Sequence, residues 1–177
     1  MKKLTLIKSV AAAVAVIGSG VAMAAPYAAP SGTGNVTTNM AVSASVVHFC
    51  KAQSASNLSF GDFQADTAKD TTSTVSVKCT STSPIEILLG AGANGGSASG
   101  ARKMSDGGSN TIDYNLYSDS TRTVNWGDTT GSAGNTVTGS GAGLGTAVEN
   151  TVYGRIPVQE GAVPGSYTDT VLVTINY

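Results

Sequence analysis

Charge is scarce in this chain. Only 12% of its 177 residues are Asp, Glu, Lys or Arg, against a typical share of about a quarter. Three of the ten cations, Lys2, Lys3 and Lys8, crowd the first eight positions, and the other seven are scattered. A nucleic-acid or anionic-membrane surface needs clustered cations, so neither partner has an electrostatic footprint here. There is one histidine, His48, and there are two cysteines, Cys50 and Cys79. A zinc site lacks its ligands, and a redox pair would be spaced C-x-x-C. His48 stands in no fixed relation to a nucleophile, which reads as packing or polar filling rather than a catalytic base. Nor does any window past residue 24 show an amphipathic helical period of useful length. These absences leave no cofactor, no metal, no catalytic set and no enzyme to expect.

The one long apolar run, 10–21, is shorter than the roughly 20 residues a membrane-spanning helix needs. It follows the lysines and precedes Ala22-Met23-Ala24, a small-residue cleavage site, so residues 1–24 read as a secretory signal. Removing them leaves seven cations against eleven acids, a mildly acidic exported protein. In an oxidising compartment two cysteines permit one intramolecular bridge, so a structural Cys50–Cys79 disulfide is expected. The remaining length fits one domain.

Alternation with period two dominates what is left. Val36, Thr38, Met40, Val42, Ala44 and Val46 alternate near the expected mature amino terminus. Val171, Val173, Ile175 and Tyr177 alternate at the other end, opposite Leu172 and Thr174. Between them Val75, Val77 and Cys79 share a face, as do Ile85, Ile87 and Leu89, then Ile112, Tyr114 and Leu116, then Val152, Gly154 and Ile156. A short strand or corner is expected at 57–63, another short strand around Val124 and Trp126, and glycine-rich loops at 90–109 and 131–145. Seven or eight strands separated by turns predict an all-β antiparallel sandwich. An apolar strand at each end offers a way for copies to join, one lending and the next receiving. The residues therefore point to assembly rather than catalysis.

The remaining motifs have ordinary explanations. Gly90-x-Gly92-x-x-Gly95 matches the dinucleotide fingerprint, but Gly96-Ser97-Ala98-Ser99-Gly100 follows where a helix must begin. Asp106, Asp113, Asp119 and Asp128 sit near turns, and the D-x-D-x-D-G calcium pattern is missing. Trp126 and Tyr114 read as core, whereas Tyr117 and Tyr153 have outward parity and could touch a neighbouring subunit.

Several of these stretches together carry a resemblance. Tyr114-Asn115-Leu116-Tyr117-Ser118-Asp119, then Arg122-Thr123 and Trp126-Gly127-Asp128, resemble the spore coat protein U domain. Val152-Tyr153-Gly154-Arg155-Ile156-Pro157, Pro164-Gly165-Ser166-Tyr167-Thr168-Asp169-Thr170-Val171, Phe60-Gly61 and Val77-x-Cys79-Thr80 add to it. The likeness extends over roughly 40–177.

That resemblance implies a subunit of an archaic chaperone–usher pilus with an incomplete immunoglobulin-like sandwich. A donor strand from another subunit would complete it. The implied partners are identical or related pilus subunits, a periplasmic chaperone and an outer-membrane usher. The implied destination is the cell surface, by way of the periplasm, with attachment and biofilm formation as the role. A spore-coat or matrix protein, or a fimbrial tip adhesin, is the alternative. On this reading residues 25–40 are the donor segment and 41–177 the domain. Val36, Thr38, Met40 and Val42 then form the donor strand, and Val171, Val173, Ile175 and Tyr177 form the strand facing the groove and chaperone.

Overall fold

A computed structural model of the chain describes residues 33–177. The expected leader and residues 25–32 of the expected donor segment lie outside the described residues. Residues 1–43 and 44–177 separate into two units. Within the first, residues 33–43 carry no strand and are exposed throughout. The second contains eight strands and, among the described residues, no helix.

The strands are β1 (Cys50–Ala55), β2 (Lys69–Cys79), β3 (Pro84–Leu89), β4 (Arg102–Ser105), β5 (Thr111–Tyr117), β6 (Val137–Ser140), β7 (Val148–Ile156) and β8 (Val173–Asn176). Every pairing is antiparallel. One sheet runs β1-β2-β7-β5-β4 and the other β6-β3-β8. The faces follow parity: along β3 and β5 every second residue is buried, as the alternating apolar residues require. Val75, Val77, Ile112, Leu116, Val152 and Ile156 of the larger sheet join Ile85, Ile87 and Leu89 of the smaller one in a single buried cluster. Trp126 is 1% exposed and sits where the sheets meet. Its indole N–H donates to the Ile87 carbonyl at 2.9 Å, and its backbone N–H donates to that of Leu116 at 2.8 Å. One residue thereby binds a strand of each sheet.

Sequence and structure part company at the strand ends. The alternation at 36–49 predicts a first strand there, yet the strand begins at Cys50. A period-two pattern records which side chains would be buried together, but a strand also needs an edge to pair with. At the other end β8 spans only Val173–Asn176. The residues before it cross from one sheet to the other: Thr168 exchanges two hydrogen bonds with Ser105 of β4, both 2.9 Å, while Leu172 accepts from Gly90, just past β3. The 57–63 stretch is not a strand, and 124–126 supplies only an isolated Tyr117–Asn125 bridge. Conversely β4 and β6 lie within the two expected glycine-rich loops, being short and low in apolar residues.

Cys50 and Cys79 form the expected disulfide and stand directly opposite each other in the β1–β2 register. His48, by contrast, does have a defined partner: its Nδ1 lies 2.9 Å from Ser83 Oγ, which also bonds Thr80 Oγ1. Ser83 is fully buried, so the pair anchors the chain beside β1 and presents no nucleophile to solvent.

Candidate functional site

A cleft enters the core along the seam between residues 55–65, which follow β1, and residues 162–173, which lead into β8. It has two lobes, of about 710 and 290 Å³, with Leu58 in the wall of both. The smaller lobe reaches the side chains of Val75, Leu89, Leu116 and Val152, which are core residues from both sheets. The larger is walled by Phe60, Phe63, Met104 and Tyr167, all half-buried. A sandwich whose two sheets closed along this seam would hide the half-buried groups as well. Here those groups line an opening, and the four core side chains, buried themselves, form its floor.

The first wall rests on an absence. Gly154 of β7 has inward parity and no side chain. A Cβ there would lie 3.0 Å from both Leu58 methyls and 3.1 Å from the tip of the Phe60 ring. Glycine thus makes the floor on which Leu58 and Phe60 settle. Phe60 also meets Tyr114 edge to face, with ring centroids 6.2 Å apart.

The opposite wall is held by a carboxylate. Asp169 accepts from the Ala93 and Thr170 backbone N–H groups (both 2.8 Å), the Asn94 side-chain amide (3.1 Å) and the Tyr114 hydroxyl (2.6 Å). Asn94 also donates to the Thr168 carbonyl at 2.7 Å. Gly92, at φ 91°, permits the approach, since a Cβ there would overlap the Asp169 carboxylate. Burial first, and then the hydrogen bond to Asp169, push the Tyr114 hydroxyl far above its ordinary pKa, so it remains a donor at neutral pH. This knot ties the crossing segment to β5 and to the loop after β3 at the lip of the cleft.

Beneath the lip lies Arg102, wholly buried. It donates to the carbonyls of Gly90 (2.8 Å), Leu89 (2.9 Å), Trp126 (2.8 Å) and Ala98 (3.3 Å). Desolvation lowers its pKa, but a guanidinium stays charged at neutral pH. Its role is to fasten the 90–101 loop to the end of β3.

Of the residues marked in the sequence, Val171, Val173 and Ile175 pack half-buried against the core, with Leu172 turned outward at 72% exposure. Tyr177 is 58% exposed. Val36, Met40 and Val42 are 99%, 84% and 83% exposed, and Thr38 is exposed as well. Trp126 and Tyr114 are core, while Tyr117 and Tyr153 are register partners on the outer face, where Arg122 lies 5.7 Å from the Tyr153 ring. Asp119 spends its carboxylate on Thr123 and Val124 backbone N–H groups and on the Thr121 and Thr123 hydroxyls, the Thr121 contact contributing most to its lowered pKa. Among the described residues no cluster of three His, Cys, Asp or Glu is placed to hold a metal ion.

A family model described as the Spore Coat Protein U domain matches residues 36–174. The chain belongs to the Spore Coat Protein U domain family. It is 31% identical over 186 residues, 97% of this chain and 98% of the other, to Protein U of Myxococcus xanthus. Its fold is similar to that of a chain in the crystal structure of the CsuC–CsuE chaperone–tip adhesion subunit pre-assembly complex, from archaic chaperone–usher Csu pili of Acinetobacter baumannii. There the TM-score is 0.54 and the identity 22%, over 75% of this chain and 40% of that one, so this chain spans well under half of that neighbour. The likeness supports the all-β, immunoglobulin-like antiparallel sandwich. In this Spore Coat Protein U domain the stretches that carried the resemblance meet at the cleft: Phe60 rests on Gly154, and Tyr114 bonds Asp169.

Proposed function

We propose that this Spore Coat Protein U domain is a structural subunit of a chaperone–usher surface pilus. Its cleft receives an amino-terminal strand from the next subunit, and its own residues 25–40 are lent onward. The observation that carries the reading is a complementary pair within one chain: a cleft lined by core side chains, and an exposed segment with Val36, Met40 and Val42 on one parity. An extended segment laid along the seam would form main-chain hydrogen bonds and place alternate side chains in the lobes. Each apolar side chain so buried contributes about 1.5–3 kcal/mol. The contact is head-to-tail and does not close on itself, so it generates filaments. During export a periplasmic chaperone covers the cleft and an outer-membrane usher passes the chain to the cell surface, where filaments serve attachment and biofilm formation. The similarity to a chain of a chaperone–subunit complex supports these partners.

The test is deletion of residues 25–40. The shortened protein should fold and bind the chaperone but remain monomeric, by sedimentation and electron microscopy. Filaments of normal length from that deletion would refute the donor role. A second reading, a secreted coat or matrix protein, is favoured by the 31% identity to Protein U over nearly the full chain. It predicts the protein in a surface layer with no filaments on the cell.

A further inference from the structure

The disulfide occupies an unusual place in the connectivity. Cys50 is the first residue of β1, immediately after the exposed residues 33–49, and it pairs with Cys79, the last residue of β2. β1 is an edge strand whose one neighbour in the sheet is β2. A pull on the amino-terminal segment first meets the short anchors of His48 to Ser83 and of Phe49 to Thr80, and would otherwise then strip β1 from β2 one pair at a time. The covalent bond stands at the first pair of that ladder. Tension arriving at Cys50 passes to Cys79 and leaves residues 51–78 unloaded.

Beyond Cys79 the chain is fastened at each step. The Gly143 N–H donates to the Cys79 carbonyl, Thr82 and Gly141 bond one another's turns, and buried Ser83 engages Thr80 and His48. β3 begins at Pro84 and is registered along β8 from Glu86↔Asn176 to Leu89↔Val173. β8 follows directly on the lip of the cleft.

We infer that the domain carries tension along the line Cys50–Cys79–β3–β8, through the three-stranded sheet, with the five-stranded sheet bypassed. The disulfide is then a link that transmits force as well as a fold stabiliser. The inference rests on the proposed reading for the source of the force, a neighbour pulling on the donor segment, but its mechanics belong to the single chain.

The test is single-molecule pulling of the exported chain, tethered at its amino-terminal end and at Tyr177. With the bond intact, no yielding should precede the main rupture. In the Cys50→Ser/Cys79→Ser variant a weaker step should come first, as β1 and the segment up to β2 peel away. That step should lengthen the chain by about 65 Å, at roughly 3.5 Å per residue. If that variant fails to fold, the folded and tethered natural chain is reduced in place. An increase of about 100 Å in final extension reports that the bond has opened, because it closes a span of 29 residues. Equal yielding forces with and without the bond, or an early step while the bond is intact, would overturn the load path. An early step found only without the bond, in a chain that assembles no filaments, would instead refute the donor reading and leave the load path standing.

Discussion

Replacing Met40 by aspartate separates a strand donated into the cleft from a tail that stays in solvent. Met40 is 84% exposed, so the change should leave the isolated domain's stability within about 0.5 kcal/mol of the natural chain. On the proposed reading the same position enters the cleft, whose smaller lobe is lined by apolar side chains such as Leu58, Leu116 and Val152. Losing the methionine's burial removes roughly 2–3 kcal/mol. The carboxylate must in addition be neutralised in an apolar site. Protonating an aspartate of pKa about 3.9 at pH 7 costs about 4 kcal/mol, at 1.36 kcal/mol per unit. Together that is roughly 6 kcal/mol, or about 10⁴-fold in affinity between subunits.

The neutralisation part depends on pH in a known direction. The free segment's aspartate becomes protonated as pH falls through about 4, so the defect should shrink there to the packing loss alone. Asn39→Asp is the control, since its parity points away from the cleft and its effect should stay under about tenfold. The assay is the subunit concentration needed for filaments to form, by sedimentation at pH 7 and pH 4. Equal defects for positions 39 and 40, or none for either, would refute the alternation argument.

Gly154→Val should lower the denaturation midpoint, because a branched side chain displaces Leu58 and Phe60 from contacts of 3.0–3.1 Å; the expected loss is about 1–3 kcal/mol, read by chemical denaturation of the monomer. Asp70 is bonded by Arg155 at 2.7 and 2.8 Å, and this hydrogen bond is the main cause of its lowered pKa. Its contribution to stability is therefore present above the unfolded carboxylate's pKa and lost as pH falls through the folded value. Asp70→Asn should flatten the acid limb of stability against pH below about 4, and an unchanged limb would show that the pair contributes nothing.

How much of this was legible in the sequence varies by element. The faces of β3, β5 and β7 were plain, because period-two alternation of Ile85, Ile87 and Leu89, or of Ile112, Tyr114 and Leu116, is set by the pleat itself. The bridge between Cys50 and Cys79 followed from counting and compartment. The cleft was not legible, because it is made by residues that no local pattern links: Gly154 and Phe60 are far apart in the chain, as are Asp169 and Tyr114. Asp169 did carry a signal, a single carboxylate interrupting an apolar alternation, and such a residue is usually bonded to something. The alternation at 36–49 overstates the strand in the single chain for a different reason. Alternation reports what a segment can bury, and its partner edge is not encoded in the segment.

The ladder pairings span long stretches of chain, and this bears on how the protein folds. β3 is registered with β8 through Glu86↔Asn176, and β2 with β7 through Asp70↔Arg155. Neither sheet can therefore be assembled until almost the entire polypeptide has emerged into its destination compartment. Topologies of this kind fold in milliseconds to seconds, slowly compared with helical bundles. During that interval Val75, Ile87 and Leu116 are exposed together with bare strand edges, the condition in which chains associate wrongly. A nascent chain of this design gains most from a companion at the moment of arrival, before its final strand has met its third.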